Sequence, residues 1–288
     1  MRVASIDGRL AVKGPDGFVD VAVAGEGRFG PDPQDAFDRW EEFVAWAGDA
    51  LASPEKLAPA ARVEVTGDTV WGPPVPRPRQ VFAIGLNYRD HVREARLEIP
   101  REPAVFTKFA TSLTGHDRPV ELPEGLVDWE TELVVVIGRR CHRVTRESAW
   151  SHVAGLTVGQ DLSERKRQLA GPAPQFSLGK SYPGFAPTGP EVVTPDEFAD
   201  PDDLKLGCRL EGGEILQQSR TSHMIFDVPE LLTRLSAVCP LLPGDLVFTG
   251  TPAGIGGARS PQKFLAPGDV LVTWIEGVGT LRTPMTAP

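Results

Sequence analysis

Cysteine is scarce in this chain. Cys141, Cys208 and Cys239 are the only three in 288 residues, odd in number, far apart and without a Cys-x-x-Cys pair. That pattern excludes a disulfide framework and a cysteine metal cluster, and it points to buried thiols in a reducing cytoplasm. Clustered positive charge is also missing. Lys and Arg number 30 against 39 Asp and Glu, the net charge is -9, and no basic run occurs, which excludes a phosphate-backbone partner such as nucleic acid. No apolar run approaches the roughly 20 residues of a membrane helix. The opening MRVASIDGRLAVKG contains no apolar signal core, so neither a bilayer segment nor an export signal is expected. His116, His142, His152 and His223 lie scattered with no metal-like spacing, and no Gly-x-Ser-x-Gly nucleophile elbow is present.

Glycine (30) and proline (28) are plentiful, which fits many strands joined by tight turns. QVFAIGLNY, PAVFTKF, ELVVVIG, GLTVGQD, LKLGCRLEGGEILQQ, DLVFTGT and DVLVTWIEGVGTLRT read as strands, with Gly212-Gly213 as a hairpin turn. Helices are few: one near residues 148–153 and one starting at Asp227-Val228-Pro229. Strands outnumber helices without alternating with them, which disfavours a doubly wound sheet. Before them lies a small α/β unit with short strands and an amphipathic helix from Asp32-Pro33 through Phe37, Trp40, Val44, Ala47 and Leu51. The proline-rich WGPPVPRPR ends it. The expected organisation is an N-terminal unit over 1–78 and a mainly β domain over 79–288.

Four stretches carry candidate chemistry. In WETELVVVIG, Glu130 and Glu132 share a strand face just before an apolar run. They read either as a solvated strand end or as part of a hard-cation site, since oxygen-only ligands suit Mg²⁺, Mn²⁺ or Ca²⁺. GLTVGQDLSERKRQ adds Asp161 at another apolar strand end, as a third ligand or as a helix N-cap. In GLNYRDHVRE, His91 and Glu94 are three apart and share a helix face, either as an exposed pair or as a dyad in which Glu94 orients the imidazole to activate water. In FSLGKSYPGFAPTGP, Lys180 follows an apolar, strand-like stretch. It reads as a surface lysine or as a group that stabilises developing negative charge. LVFTGTPAGIGG lacks the Lys-Ser/Thr ending of a phosphate loop, but its backbone N–H groups can bind a carboxylate.

Taken in order, GLNYRDH, WETELVVVIG, GQDLSERKRQ, GKSYPGFAPTGP and FTGTPAGIG resemble the fumarylacetoacetate hydrolase family from about Gln80 to the C-terminus, and its smaller bacterial and mitochondrial acylpyruvate hydrolase-like members above all. The resemblance implies an α+β, mainly β fold, a mixed β-sandwich roll, and a homodimer with one Mg²⁺ or Mn²⁺ per subunit, a place Ca²⁺ can take in crystals. It implies that Glu130, Glu132 and Asp161 hold the metal and that His91 and Glu94 activate water from a mobile lid. Arg165, Gln168 and Lys180 would line the substrate pocket, and Thr251 would touch a substrate carboxylate. The implied reaction is hydrolysis of a C–C bond in a 2,4-dioxo acid through a metal-stabilised enolate. Oxaloacetate decarboxylation, 2-oxo-4-enoate hydration and hydroxymuconate-type isomerisation use the same site. A purely structural metal-binding protein is the non-enzymic alternative. Pro183 stands where relatives often carry an acidic residue after Lys-Ser-Phe.

Overall fold

An apolar run such as 133–137 needs cover on both faces. In the computed structural model, which describes residues 1–288, it forms the strand Thr131–Ile137 in the middle of a 12-stranded mixed sheet. The antiparallel strands Val153–Gln160 and Leu246–Phe248 flank it. Beyond Leu246–Phe248 come the parallel strand Val81–Gly85 and the edge strand Ala104–Thr107. On the other side Val153–Gln160 pairs with Ala186–Val193, which pairs in turn with Arg2–Ile6.

Period-two alternation then divides the run between two cores. Leu133, Val135 and Ile137 enter one with Leu231, Leu232 and Leu235 of the helix Val228–Val238. Val134 and Val136 enter the other with Phe37, Trp40 and Phe43 of the N-terminal residues. Residues 1–78 therefore share both a sheet and a core with the rest of the chain, and they cover the second face. A five-stranded sheet, in the order Ile215–Arg220, Lys205–Leu210, Val270–Ile275, Gly279–Thr286 and Val120–Glu121, packs its Leu206, Ile275 and Leu281 into the first core. The result is the mainly β roll expected, and no helix is long and apolar enough to cross a membrane.

Local differences from the sequence reading have physical causes. The N-terminal helix is two pieces, Asp35–Asp38 and Trp40–Leu51. Arg39 between them leaves the helical region (φ -133, ψ 42) and donates to Arg28 O and Glu42, while Phe37 and Trp40 stack at 5.3 Å. Residues 149–152 form a 3₁₀ turn rather than an α-helix. Phe176–Gly179, before Lys180, is one helical turn and not a strand. The strand Ala186–Val193 reads as a loop because Pro187 and Pro190 cannot donate to a ladder. The register shift between Leu156 and Val158 takes up the irregular stretch that contains Pro190.

Asn87 ties together three segments that position the site. Its side-chain amide donates to Thr249 O (2.7 Å) and Phe226 O (2.9 Å), and its carbonyl accepts from Phe226 N (2.8 Å), all fully buried. Two residues on, the helix Arg89–Glu94 begins. Asn87→Ala removes these three hydrogen bonds, each worth about 1 kcal/mol. Unfolding in denaturant should show a loss of about 3 kcal/mol, and an unchanged midpoint would refute this tethering role.

Candidate active site

Register brings the three acidic residues together. Thr131 pairs with Gln160 and Glu132 with Gly159, and Asp161 N donates to Glu130 O at 2.9 Å. Glu130, Glu132 and Asp161 thus meet at one end of two neighbouring strands, with carboxylate oxygens within 4.8 Å of one another. All three are buried, at 7%, 1% and 0% exposure, so the solvated strand end is excluded. Thr131, on the opposite face, joins Gln160 and Gln217 in a separate polar network. Asp161 is no helix cap: the Glu164 carboxylate accepts from Lys166 N and Arg167 N at the start of Arg165–Gln168.

Two buried lysines and a partly buried arginine answer this charge. Lys180 Nζ donates to Glu130 Oε2, Asp161 Oδ2 and Ser163 Oγ, each at 2.7 Å. Lys108 Nζ donates to Asp161 Oδ1 at 2.6 Å and to Lys180 O. Arg165 donates to Glu130 Oε1 (2.6 Å), Asp128 Oδ2 (2.9 Å) and Gln168 Oε1 (2.9 Å). Burial alone would raise the Glu130 carboxyl, but the Lys180 and Arg165 charges outweigh it and hold it down at about 2. Burial also opposes a charged Lys180, yet Asp161 and Glu130 keep its pKa above the ordinary value. For Lys108 burial wins and the pKa falls.

Glu132 differs from its neighbours. Its carboxylate accepts one hydrogen bond, from Gly250 N at 2.7 Å, and pairs with no Lys or Arg. Burial, and then the Asp161 and Glu130 charges, push its pKa well above the ordinary value. Gly250 has φ +98, and a Cβ there would come within 2.7 Å of Asn87 Cβ, so this close donor needs glycine. With all four carboxyls ionised, as metal binding requires, Asp128, Glu130, Glu132 and Asp161 would outnumber Lys108, Lys180 and Arg165 by one negative charge. A cluster of oxygen-only donors with one uncompensated buried carboxylate fits a hard divalent cation.

The helix Arg89–Glu94 stands across a cleft of about 780 Å³ from this cluster. Glu130, Arg165, Gln168, Lys180 and Thr251 line the same cleft as His91 and Glu94. His91 Nδ1 and Glu94 Oε2 lie 3.1 Å apart with side chains only 9% and 20% exposed, so this is not a solvated surface pair. Glu94 Oε1 accepts from Gly254 N at 2.9 Å, which anchors the dyad to the glycine-rich loop. The Thr251 hydroxyl accepts from Gln217 Nε2 at 2.8 Å.

Sequence reasoning missed Lys108, Asp128 and Ser163. Lys108 follows the apolar stretch AVFT directly, and a lone lysine in such a run is the signal that was available. Asp128 is fully buried and accepts from Gly256 N (2.7 Å), Gly257 N (2.8 Å) and Arg165, so it joins the glycine-rich loop to the guanidinium. No spacing in the sequence connects residues so far apart.

The family model for the fumarylacetoacetate (FAA) hydrolase C-terminal domain matches residues 80–286. The chain is 42% identical over 238 residues, 81% of its length and 76% of the relative's, to mitochondrial oxaloacetate tautomerase FAHD2A of Bos taurus. It is also 42% identical over 237 residues, 81% of its length and 82% of the relative's, to 2,4-didehydro-3-deoxy-L-rhamnonate hydrolase of Sphingomonas sp. SKA58. Maleylpyruvate hydrolase of Sphingobium sp. SYK-6, solved with manganese(II) and pyruvate, superposes with a TM-score of 0.81 at 28% identity, covering 100% of this chain and 99% of that one. These relatives are tautomerases and hydrolases, and on the matched domain and the level of identity this chain belongs to the fumarylacetoacetate hydrolase family.

Proposed function

We propose that the protein is a Mg²⁺- or Mn²⁺-dependent hydrolase that cleaves a C–C bond of a 2,4-dioxo acid, releasing pyruvate from an acylpyruvate-type substrate. The observation that carries this reading is the Glu94-held His91 on the wall of the cleft that also contains Glu130, Arg165 and Lys180. Glu130, Glu132 and Asp161 would hold the divalent ion, which when bound would supply positive charge for the oxygens of a 2-oxo acid.

The chain's own groups do the rest. Lys180 and Arg165 keep Glu130 ionised at neutral pH. Glu94 fixes the imidazole through Nδ1, which leaves Nε2 to take a proton from water. That water attacks the distal carbonyl carbon. As the C–C bond breaks, its electron pair passes to the pyruvate fragment, which then takes up a proton.

Oxaloacetate tautomerisation is the second reading, favoured by the bovine relative at 42% identity. It moves a proton within the substrate and consumes no water, so the two are separable. An assay of acylpyruvates and oxaloacetate with Mg²⁺, against an EDTA control, should give metal-dependent release of pyruvate from the acylpyruvate. Turnover of the oxaloacetate enol alone selects the tautomerase.

His91→Ala should lower hydrolysis by about 10²–10⁴-fold, the range for losing a general base. Magnesium binding, read as a rise in Tm, should persist, and undiminished hydrolysis would remove His91 from the mechanism. Glu132 predicts a pH effect. Its raised pKa means that the metal-free folded chain keeps a proton there which the unfolded chain loses above about 4.3. Metal-free stability therefore falls as pH rises from that value towards the folded one. Glu132→Gln should flatten this fall and abolish most of the magnesium-induced rise in Tm. Melting curves across pH, in EDTA and in magnesium, check both halves.

A further inference from the structure

Resting on the hydrolase reading, we propose that the acyl end of the substrate is uncharged and apolar, and that a second carboxylate at that end is disfavoured. Lys180 and Arg165, the inner cations of the cleft, are already ion-paired, although Arg165 Nη2 makes no hydrogen bond. Arg165 is paired with Asp128 and Glu130, and Lys180 with Glu130 and Asp161. Of the cleft's cationic side chains only Lys166 has no carboxylate partner, and it is exposed at the rim, where a single ion pair contributes little. The cleft's anions are likewise engaged, Glu130 by Arg165 and Lys180 and Glu94 by His91 and Gly254 N, so no buried cation is left over to pair with a second substrate carboxylate.

The rest of the wall is apolar. Leu97, Leu126, Leu169, Phe176, Ile255 and Phe264 come from separate parts of the chain and converge on the one cleft. Leu97 and Leu169 are 55% and 59% exposed, one just beyond the His91 helix and the other just beyond the Arg165 helix. Large aliphatic side chains left bare at the mouth of a cleft gain from contact with an aliphatic or aryl group, whereas a terminal carboxylate there would lose its water for no partner. The 2-oxo acid head requires polar, charged surroundings and the tail requires these residues, so the site is divided along the substrate.

The test uses the full-length protein with Mg²⁺ and a series of straight-chain acylpyruvates with two, four and six acyl carbons, together with the six-carbon chain ended by a carboxylate. We expect kcat/KM to rise about fourfold per added methylene, the factor that corresponds to about 0.8 kcal/mol. The carboxylate-ended substrate should fall at least tenfold below its neutral counterpart. Equal or better turnover of the carboxylate-ended substrate, or a flat series, overturns the proposal while leaving hydrolysis intact. No hydrolysis of any member, with turnover of oxaloacetate, instead rejects the reading on which it rests. As a readout independent of turnover, the rise in Tm produced by saturated straight-chain 2-oxo acids should increase with chain length and shrink when the far end is a carboxylate.

Discussion

Buried carboxylates that nearly touch repel one another, and this end of the sheet is organised around that repulsion. Asp128, Glu130, Glu132 and Asp161 are almost wholly removed from water, where a charge without a partner costs several kcal/mol. Lys108, Lys180 and Arg165 answer three of them, and the backbone N–H groups of Gly250, Gly256 and Gly257 are drawn in as further donors. Glu132 is the residue left without a cation. In the proposed enzyme a divalent ion would give the Glu132 carboxylate the cationic partner that no side chain supplies.

The same constraint explains why the scaffold is built so heavily. Carboxylates stay close only if their backbones cannot move apart, and here they hang on the ends of paired central strands with a core on each face. Residues 1–78 contribute by covering the second face, so a segment remote from the chemistry helps to hold the register that assembles it. The glycine-rich loop 250–257 then connects the parts. It donates to Glu132, to Asp128 and to Glu94, and through them it relates the acidic cluster to the His91 helix across the cleft.

Membership of the fumarylacetoacetate hydrolase family brings relatives whose reactions differ while a 2-oxo acid recurs among them, from oxaloacetate tautomerase to maleylpyruvate hydrolase. In the proposed enzyme a charged floor would handle the 2-oxo acid head, while the group at the wall and the character of the rim would select water attack or proton transfer and the tail that is admitted. In this chain the wall carries a held imidazole and the rim carries leucines.

Much of this was legible in the chain itself, where the controlling rule is local. Period two placed Glu130 and Glu132 on one face, and period 3.6 paired His91 with Glu94. Alternation of apolar residues marked most of the strands. Ala186–Val193 escaped because its prolines break the local rule, and the N-terminal helix was misjudged as continuous because the break at Arg39 serves a stacking contact. Lys108 and Asp128 escaped for a different reason. Lys108 meets Asp161 across 53 residues and Asp128 meets Gly256 across 128. The sequence by itself determined which side chains each strand end and helix face presents, because that depends on neighbours in the chain. Only tertiary structure decided which charges share one dry volume, because Coulombic and desolvation energies depend on distance in space.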